Sequence, residues 1–363
     1  MDILLTSVIP LLLLIVISTS VKYNKVKGGG ISDSSFMSLS YTNALKAISC
    51  IIVVIVHIPV SYGNILQDLL GSFAYIGVTL FFLISAYGCS YGVHKNGGAF
   101  LKIFWFRRII ALFIPSLLVN ALHLVLELTI GDGFEPSILL YVNGYVWATM
   151  IAYFIFWIVW VLEFIQEKIK DYIIILLVIV GSILTKFTPI SVFQIWPTES
   201  LGFAWGILLF RYKNSLVDIL EKQQLMSIIL TLISSVGLGV AYLLWKETVF
   251  FGDYLLKIAL GISLILFIFS ISIKLSFEKK PIQFLGNISY EIYLLHGVIM
   301  TYLAIITGDI PSGYFILLTY LFTIMASVIV FSLAKPIIEA INKLITSFME
   351  KISQKAENNQ ESD

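Results

Sequence analysis

The sequence predicts an all-α fold, a polytopic bundle of transmembrane helices with about eleven spans. Three observations carry this. Hydrophobic residues make up 59% of the 363 positions and charged residues only 12%, about half the charge of an ordinary soluble domain. Apolar runs recur at close to the length that crosses about 30 Å of hydrocarbon. Basic residues fall in alternate loops between those runs, as they do when one set of loops stays in the cytoplasm. A soluble globule must clothe its outside with polar groups and could not hide this much apolar surface; a bilayer can. The net charge of +1 offers nothing to attract nucleic acid.

In chain order, the candidate spans lie near residues 3–20, 44–62, 72–92, 109–130, 145–163, 172–187, 199–211, 225–245, 254–273, 286–306 and 312–333. The first lacks the basic lead of a signal peptide. Asp2 precedes it, and Lys22, Lys25 and Lys27 follow it, the charge order of an uncleaved anchor with its amino terminus outside. From that start, nineteen Lys and Arg residues fall inside the cell, counting the tail after the last span. Only Lys186 and Lys246 fall outside, while Lys46 and Lys257 lie in or at the ends of spans. One missed helix would scramble that alternation, so the carboxy terminus is expected in the cytoplasm.

Three regions follow. Residues 1–40 hold the anchor and a Gly/Ser-rich linker containing Gly28-Gly29-Gly30, which reads as a flexible connector. Residues 41–334 form the main membrane domain. Residues 335–363 begin at Lys335-Pro336 and show apolar residues at helical spacing with Lys and Glu between them. This suits a helix on the inner membrane surface, ahead of a disordered end. Cys50 and Cys89 sit inside apolar runs and read as buried thiols, not as a disulfide framework.

An ionisable residue inside a span is costly, so the polar exceptions are the functional candidates. In the second span, Lys46 stands at the cytoplasmic end and His57 eleven residues on. Eleven residues is close to three turns, so both share one face, about 16 Å apart along the axis, with Cys50 on the same face. A polar stripe in an apolar helix faces the bundle interior, so His57 is expected buried, in the neutral form that accepts a proton from a hydroxyl. The bland alternatives are a packing histidine, a snorkelling lysine and a small packing thiol.

Span three, with Gly77, Ser85, Ala86, Gly88 and Gly92, is a close-packing segment. Arg107 and Arg108 open span four at the depth of Lys46. Such a cluster suits phosphates, and equally suits the usual positive loop or anionic lipid. Span ten carries Asn287, Ser289, Tyr290, Glu291, Tyr293 and His296. Tyr293 and His296 are helix neighbours, in an interhelical hydrogen-bond network or a site. His123 and His94 make weaker candidates.

These same segments resemble acyltransferase family 3, membrane proteins that O-acylate sugars, lipopolysaccharide, exopolysaccharides and some small molecules. The family's opening helix carries a basic residue, ten intervening residues and a histidine, as from Lys46 to His57, with Lys where Arg is commoner. Its "FF..SGY" element resembles Phe81 to Tyr87, with Ala86 in place of glycine. Its basic segment before a helical proline is similar to Arg107, Arg108 and Pro115, and a further arginine downstream is absent, Ala111 or a neighbour standing there. Its late "G..SY.IYL.H" element resembles Gly286, Ser289, Tyr290, Ile292, Tyr293, Leu294 and His296.

The resemblance covers about residues 41–334. It implies a ten-span core beginning inside, to which span 3–20 is an amino-terminal addition, in a bacterial plasma membrane. It also implies acyl transfer, of acetyl above all, from acetyl-CoA or another acyl-CoA to a hydroxyl of a carbohydrate or glycolipid. His57 would be base or acyl carrier, and Lys46, Arg107 and Arg108 would hold donor phosphates. Ser85, Tyr87, Ser289, Tyr290, Tyr293 and His296 would support the site. Acyl-CoA is then a co-substrate; no tightly bound cofactor and no metal are expected. The rival is a transporter or flippase for a lipid-linked sugar without chemistry, in which His57 and Lys46 would line one continuous water-filled route. A sensor or scaffold is the third reading, against which the lack of an evident soluble domain counts.

Overall fold

The computed structural model describes residues 2–23, 35–190, 192–193 and 196–360, and side chains as far as 348. The Gly28-Gly29-Gly30 connector and the last three residues lie outside the described residues. In chain order the elements are α1 (Asp2–Ser20), β1 (Lys22–Tyr23), α2 (Leu39–Val56), α3 (Ile65–Gly71), α4 (Tyr75–Thr129), α5 (Gly144–Val161), α6 (Glu167–Phe187), α7 (Leu201–Lys222), α8 (Gln224–Trp245), α9 (Lys257–Ser272), β2 (Leu275–Ser276), α10 (Lys280–Asn287), α11 (Ser289–Thr307) and α12 (Ser312–Gln360). A π-helical turn, Phe251–Leu256, leads into α9. The all-α expectation takes one small correction: β1 and β2 pair antiparallel, Lys22 opposite Ser276.

Among the described residues, eight helical segments are long and apolar enough to cross a membrane. The protein is a multi-pass membrane protein. Each of the eleven expected spans falls on helix, and two of them share α4. That helix breaks at Gly97 (φ 53°, ψ −136°), a left-handed conformation that glycine adopts without steric cost. α6 and α7 are not among the eight; the first turns of α6 carry Glu167, Lys168, Lys170 and Asp171, and the middle of α7 carries Arg211 and Lys213.

The outward faces are apolar. Of α8, only Ser235, Gly239 and Tyr242 are buried, while Leu225, Leu230, Ile233, Val236, Val240 and Leu244 are exposed. Water would not tolerate so large a contiguous patch; lipid tails would. Between helices, small residues and hydrogen bonds replace the hydrophobic drive. A Cβ on Gly202 or Gly206 would stand 2.2 Å from the Thr79 or Leu83 carbonyl, so the α4 and α7 backbones touch there. The Ser235 and Ser263 hydroxyls bond at 2.9 Å between α8 and α9.

At the amino terminus α1 packs onto the bundle: Thr6 is fully buried and its hydroxyl accepts from Asn64 Nδ2 at 2.8 Å. At the other end α12 continues through Pro336, helical in backbone as far as Gln360.

Candidate active site

His57 does not lie deep inside α2. That helix ends at Val56, and His57 is its exposed C-cap residue (φ −92°, ψ 1°). The cause is Pro59, whose ring disfavours helical backbone at the residue before it; the expected continuation to residue 62 is a separate 3₁₀ turn, Val60–Tyr62. The imidazole is held by its own helix, Nδ1 lying 2.9 Å from the Val53 carbonyl. A carbonyl only accepts, so Nδ1 carries the hydrogen and Nε2 of the neutral ring keeps its lone pair.

The buried imidazole is that of His296 on α11, 6% exposed. Its ring meets that of His57 edge to face, centroids 4.7 Å apart. Tyr293, one turn earlier, lies 5.6 Å from His296 and 4.7 Å from Tyr145. These groups line a cavity of about 360 Å³ together with Trp196, Asn143, Ser116, Asn120 and His123. Asn120 Nδ2 donates to the carbonyls of Leu139 (3.2 Å) and Tyr141 (2.8 Å) and so fixes the 3₁₀ segment Pro136–Leu140 beside the cavity. Glu127, a turn beyond His123, accepts from the Tyr302 hydroxyl.

A second cavity, about 640 Å³, lies at the other end of α2. Lys46, Arg108 and Lys213 line it with Ser85, Tyr87 and Tyr153. Lys46 Nζ donates to Asn43 Oδ1 at 3.2 Å. Arg108 lies over the rings of Tyr153 (4.9 Å) and Phe104 (5.4 Å) and donates to Cys89 Sγ at 3.5 Å. Among the described residues, no carboxylate comes within ion-pair distance of these three cations. Burial lowers the pKa of Lys213. Three unpaired cations around one cavity suit an anion. Arg107 is exposed and does not line this cavity. It follows Phe106 on a lipid-facing side of α4, and adjacent helix positions point about 100° apart.

Aromatic rings fill the space between the cavities. Phe82 packs on Tyr145 and Phe81 on Tyr293, at 5.2 and 6.1 Å. Ser85 lies near Tyr145 and Tyr153 and lines the cationic cavity. The Tyr290 hydroxyl donates to the Leu112 carbonyl at 2.9 Å beside Ser116. Ser289 is buried and turned back to the Gly286 carbonyl, at 2.8 Å. Cys50 is fully buried, its thiol on the Ala47 carbonyl. His94 packs on Phe210 and Trp160. Lys46 and His57 thus line different cavities, on either side of that aromatic layer.

The family model described as an acyltransferase domain matches residues 39–335. The chain belongs to acyltransferase family 3. No curated protein and no solved structure matches it. Membership implies acyltransferase activity, with an acyl donor and an acceptor. In this acyltransferase His57, Tyr293 and His296 line one cavity and Lys46, Arg108, Ser85 and Tyr87 the other, while Arg107, Ser289 and Tyr290 line neither.

Ser116 and Asn120 escaped the sequence reading. With His123, which it named as a weaker candidate, and with Glu127 beyond the cavity lining, they recur at helical spacing along an otherwise apolar stretch, a polar stripe as legible as that of the second span. Trp196 and Lys213 gave no signal, since a loop tryptophan and a positive-side lysine are ordinary in membrane proteins.

Proposed function

We propose that this acyltransferase moves an acetyl group from acetyl-CoA to a carbohydrate hydroxyl. The chain would cross the membrane eleven times, amino terminus outside and carboxy terminus in the cytoplasm. The observation that carries this reading is the pairing of a cationic cavity, with no ion-paired carboxylate among the described residues, at one end of α2 with an imidazole cavity at the other. The donor's phosphates lie against Lys46, Arg108 and Lys213, and its thioester arm reaches along α2 toward His57 when the aromatic rings between the cavities part. The acceptor enters the other cavity, where amide, hydroxyl and aromatic side chains suit a sugar ring.

His57 Nε2 takes the acceptor hydroxyl's proton as the oxygen attacks the thioester carbonyl; the C–S bond breaks and the CoA thiolate leaves to be protonated, general-base help worth about 10²–10⁴-fold. His296 orients the His57 ring. The spacing of about 16 Å between Lys46 and His57 along the helix also favours a second route, in which His57 Nε2 is acylated first and then delivers the group.

The test is transfer of radiolabelled acetyl from acetyl-CoA to glycans by the purified protein, with mass analysis of surface glycans with and without the gene product. Label held on protein without acceptor, and lost in His57→Gln, would mark the acyl-histidine route. No transfer to any glycan would overturn the acceptor class, and label neither transferred nor held would overturn the donor.

A further inference from the structure

Beyond the catalytic pair, the structure holds a buried ion cluster that neither the reaction nor the sequence reading used. Glu199, 3% exposed, pairs with Lys257 Nζ at 2.8 Å. Its other oxygen accepts from the Thr198 hydroxyl at 2.9 Å. Lys257 also lies over the Tyr75 ring and within 3.9 Å of Asp253, which pairs with Lys186. The π-helical turn Phe251–Leu256 places Lys257 there, for a wider turn shifts every following side chain around the helix axis; such turns concentrate at functional sites. Removing two charges from water is expensive, and a buried pair is weak evidence for stability. A role in fixing one conformation is the better-attested use.

What the pair fixes is the short stretch entering α7. The Ser200 amide donates to the Trp196 carbonyl at 3.1 Å and the Gly202 amide to the Glu199 carbonyl at 2.9 Å, so Trp196 and Glu199 belong to one turn. Trp196 lines the His57 cavity. Held at Glu199 by α9, that turn presents the indole toward His57, His296 and Tyr293. A flat apolar ring beside Asn120, Asn143 and Thr301 matches the amphipathic faces of a pyranose.

We propose that Glu199 and Lys257 are positioning residues that hold Trp196 as one wall of the acceptor cavity, and that Trp196 sets acceptor affinity by packing on the sugar ring. The second half rests on the carbohydrate reading above. The first half does not.

The full-length protein in lipid nanodiscs tests both. For positioning, Trp196→Cys is labelled with a membrane-impermeant maleimide; Cys50 and Cys89 are fully buried and stay silent. The Glu199→Gln/Lys257→Met double variant, which leaves no lone buried charge of that pair, should label about tenfold faster than the parent, as a local opening would allow. Lys257→Arg should label like the parent. Unchanged labelling in the double variant overturns the positioning role.

For affinity, acetyl transfer to an alkyl glycoside is followed. The double variant and Trp196→Ala should each raise acceptor KM about tenfold or more, with kcat and donor KM within about twofold. Combining all three changes should add nothing. A normal acceptor KM in Trp196→Ala overturns the affinity role. Faster labelling with no transfer to any glycoside by the unmodified protein upholds positioning and refutes the acceptor class, so the two readings fail separately.

Discussion

Among the described residues, Lys46, Arg108 and Lys213 surround a cavity at one end of α2 without a paired carboxylate, and His57 and His296 share a cavity at the other whose lining holds no Asp, Glu, Lys or Arg. The first environment suits fixed negative charge; the second suits proton transfer. Fixed cations beside the imidazoles would disfavour the imidazolium formed during transfer; placing them in a separate cavity, with Lys46 about 16 Å from His57 along the chain's helix rise, eases that conflict. The division also means that binding of the donor and catalysis can be damaged one at a time.

The largest expected effect breaks the proton-moving end. His57→Gln keeps much of the side chain's shape but cannot take a proton. It should insert and elute normally on gel filtration yet lose transfer by about 10²-fold or more. Near-normal turnover in a stable His57→Gln protein would end the assignment. Next comes the cationic end: Arg108→Ala should raise donor KM about 10–100-fold, the value of a charge-assisted hydrogen bond, and leave acceptor KM unchanged. Arg108→Lys should recover only part, because an ammonium cannot reproduce a guanidinium stacked on the Tyr153 and Phe104 rings.

A smaller effect sharpens the role of Lys213. Burial lowers its pKa, so its positive charge, complete at low pH, is lost as pH rises through a value below that of a free lysine. Donor affinity measured by titration should fall by a few-fold at alkaline pH. Lys213→Arg should flatten that limb, and a limb surviving the substitution would exclude Lys213 as its source. The smallest effect is expected of Arg107→Ala. The side chain is exposed and off the cavity, so donor KM should stay within about twofold.

The helical bundle was legible because a bilayer imposes length, apolarity and charge alternation on sequence directly. The candidate site was legible where side chains of one helix share a stripe, as Lys46 and His57 do. Its depth was misjudged because the stripe was read on through Pro59, whereas the helix stops at Val56, ahead of that proline. The partner His296 and the layer of Phe81, Phe82, Tyr145 and Tyr293 depend on which helices become neighbours. Spacing within one helix says nothing about that. Arg107 and Arg108 show the same limit from the other side: adjacent in sequence, one is exposed and the other lines the cavity, and the packing of neighbouring helices decides which.

The contact of α7 with α4 at Gly202 and Gly206 bears on how the two substrates communicate. The turn bearing Trp196 leads into α7 at one cavity, and Lys213 leaves α7 at the other. With backbones already touching, the first turns of α7 have little room to yield locally. The helix breaks at Tyr212 (φ −108°, ψ 15°), between that contact and Lys213, so a displacement of the Trp196 turn is not carried rigidly to the cationic cavity. Under the proposed function the two affinities are then expected to be independent: a bound donor that leaves the acceptor's dissociation constant unchanged requires, by reciprocity, that the acceptor leave the donor's unchanged.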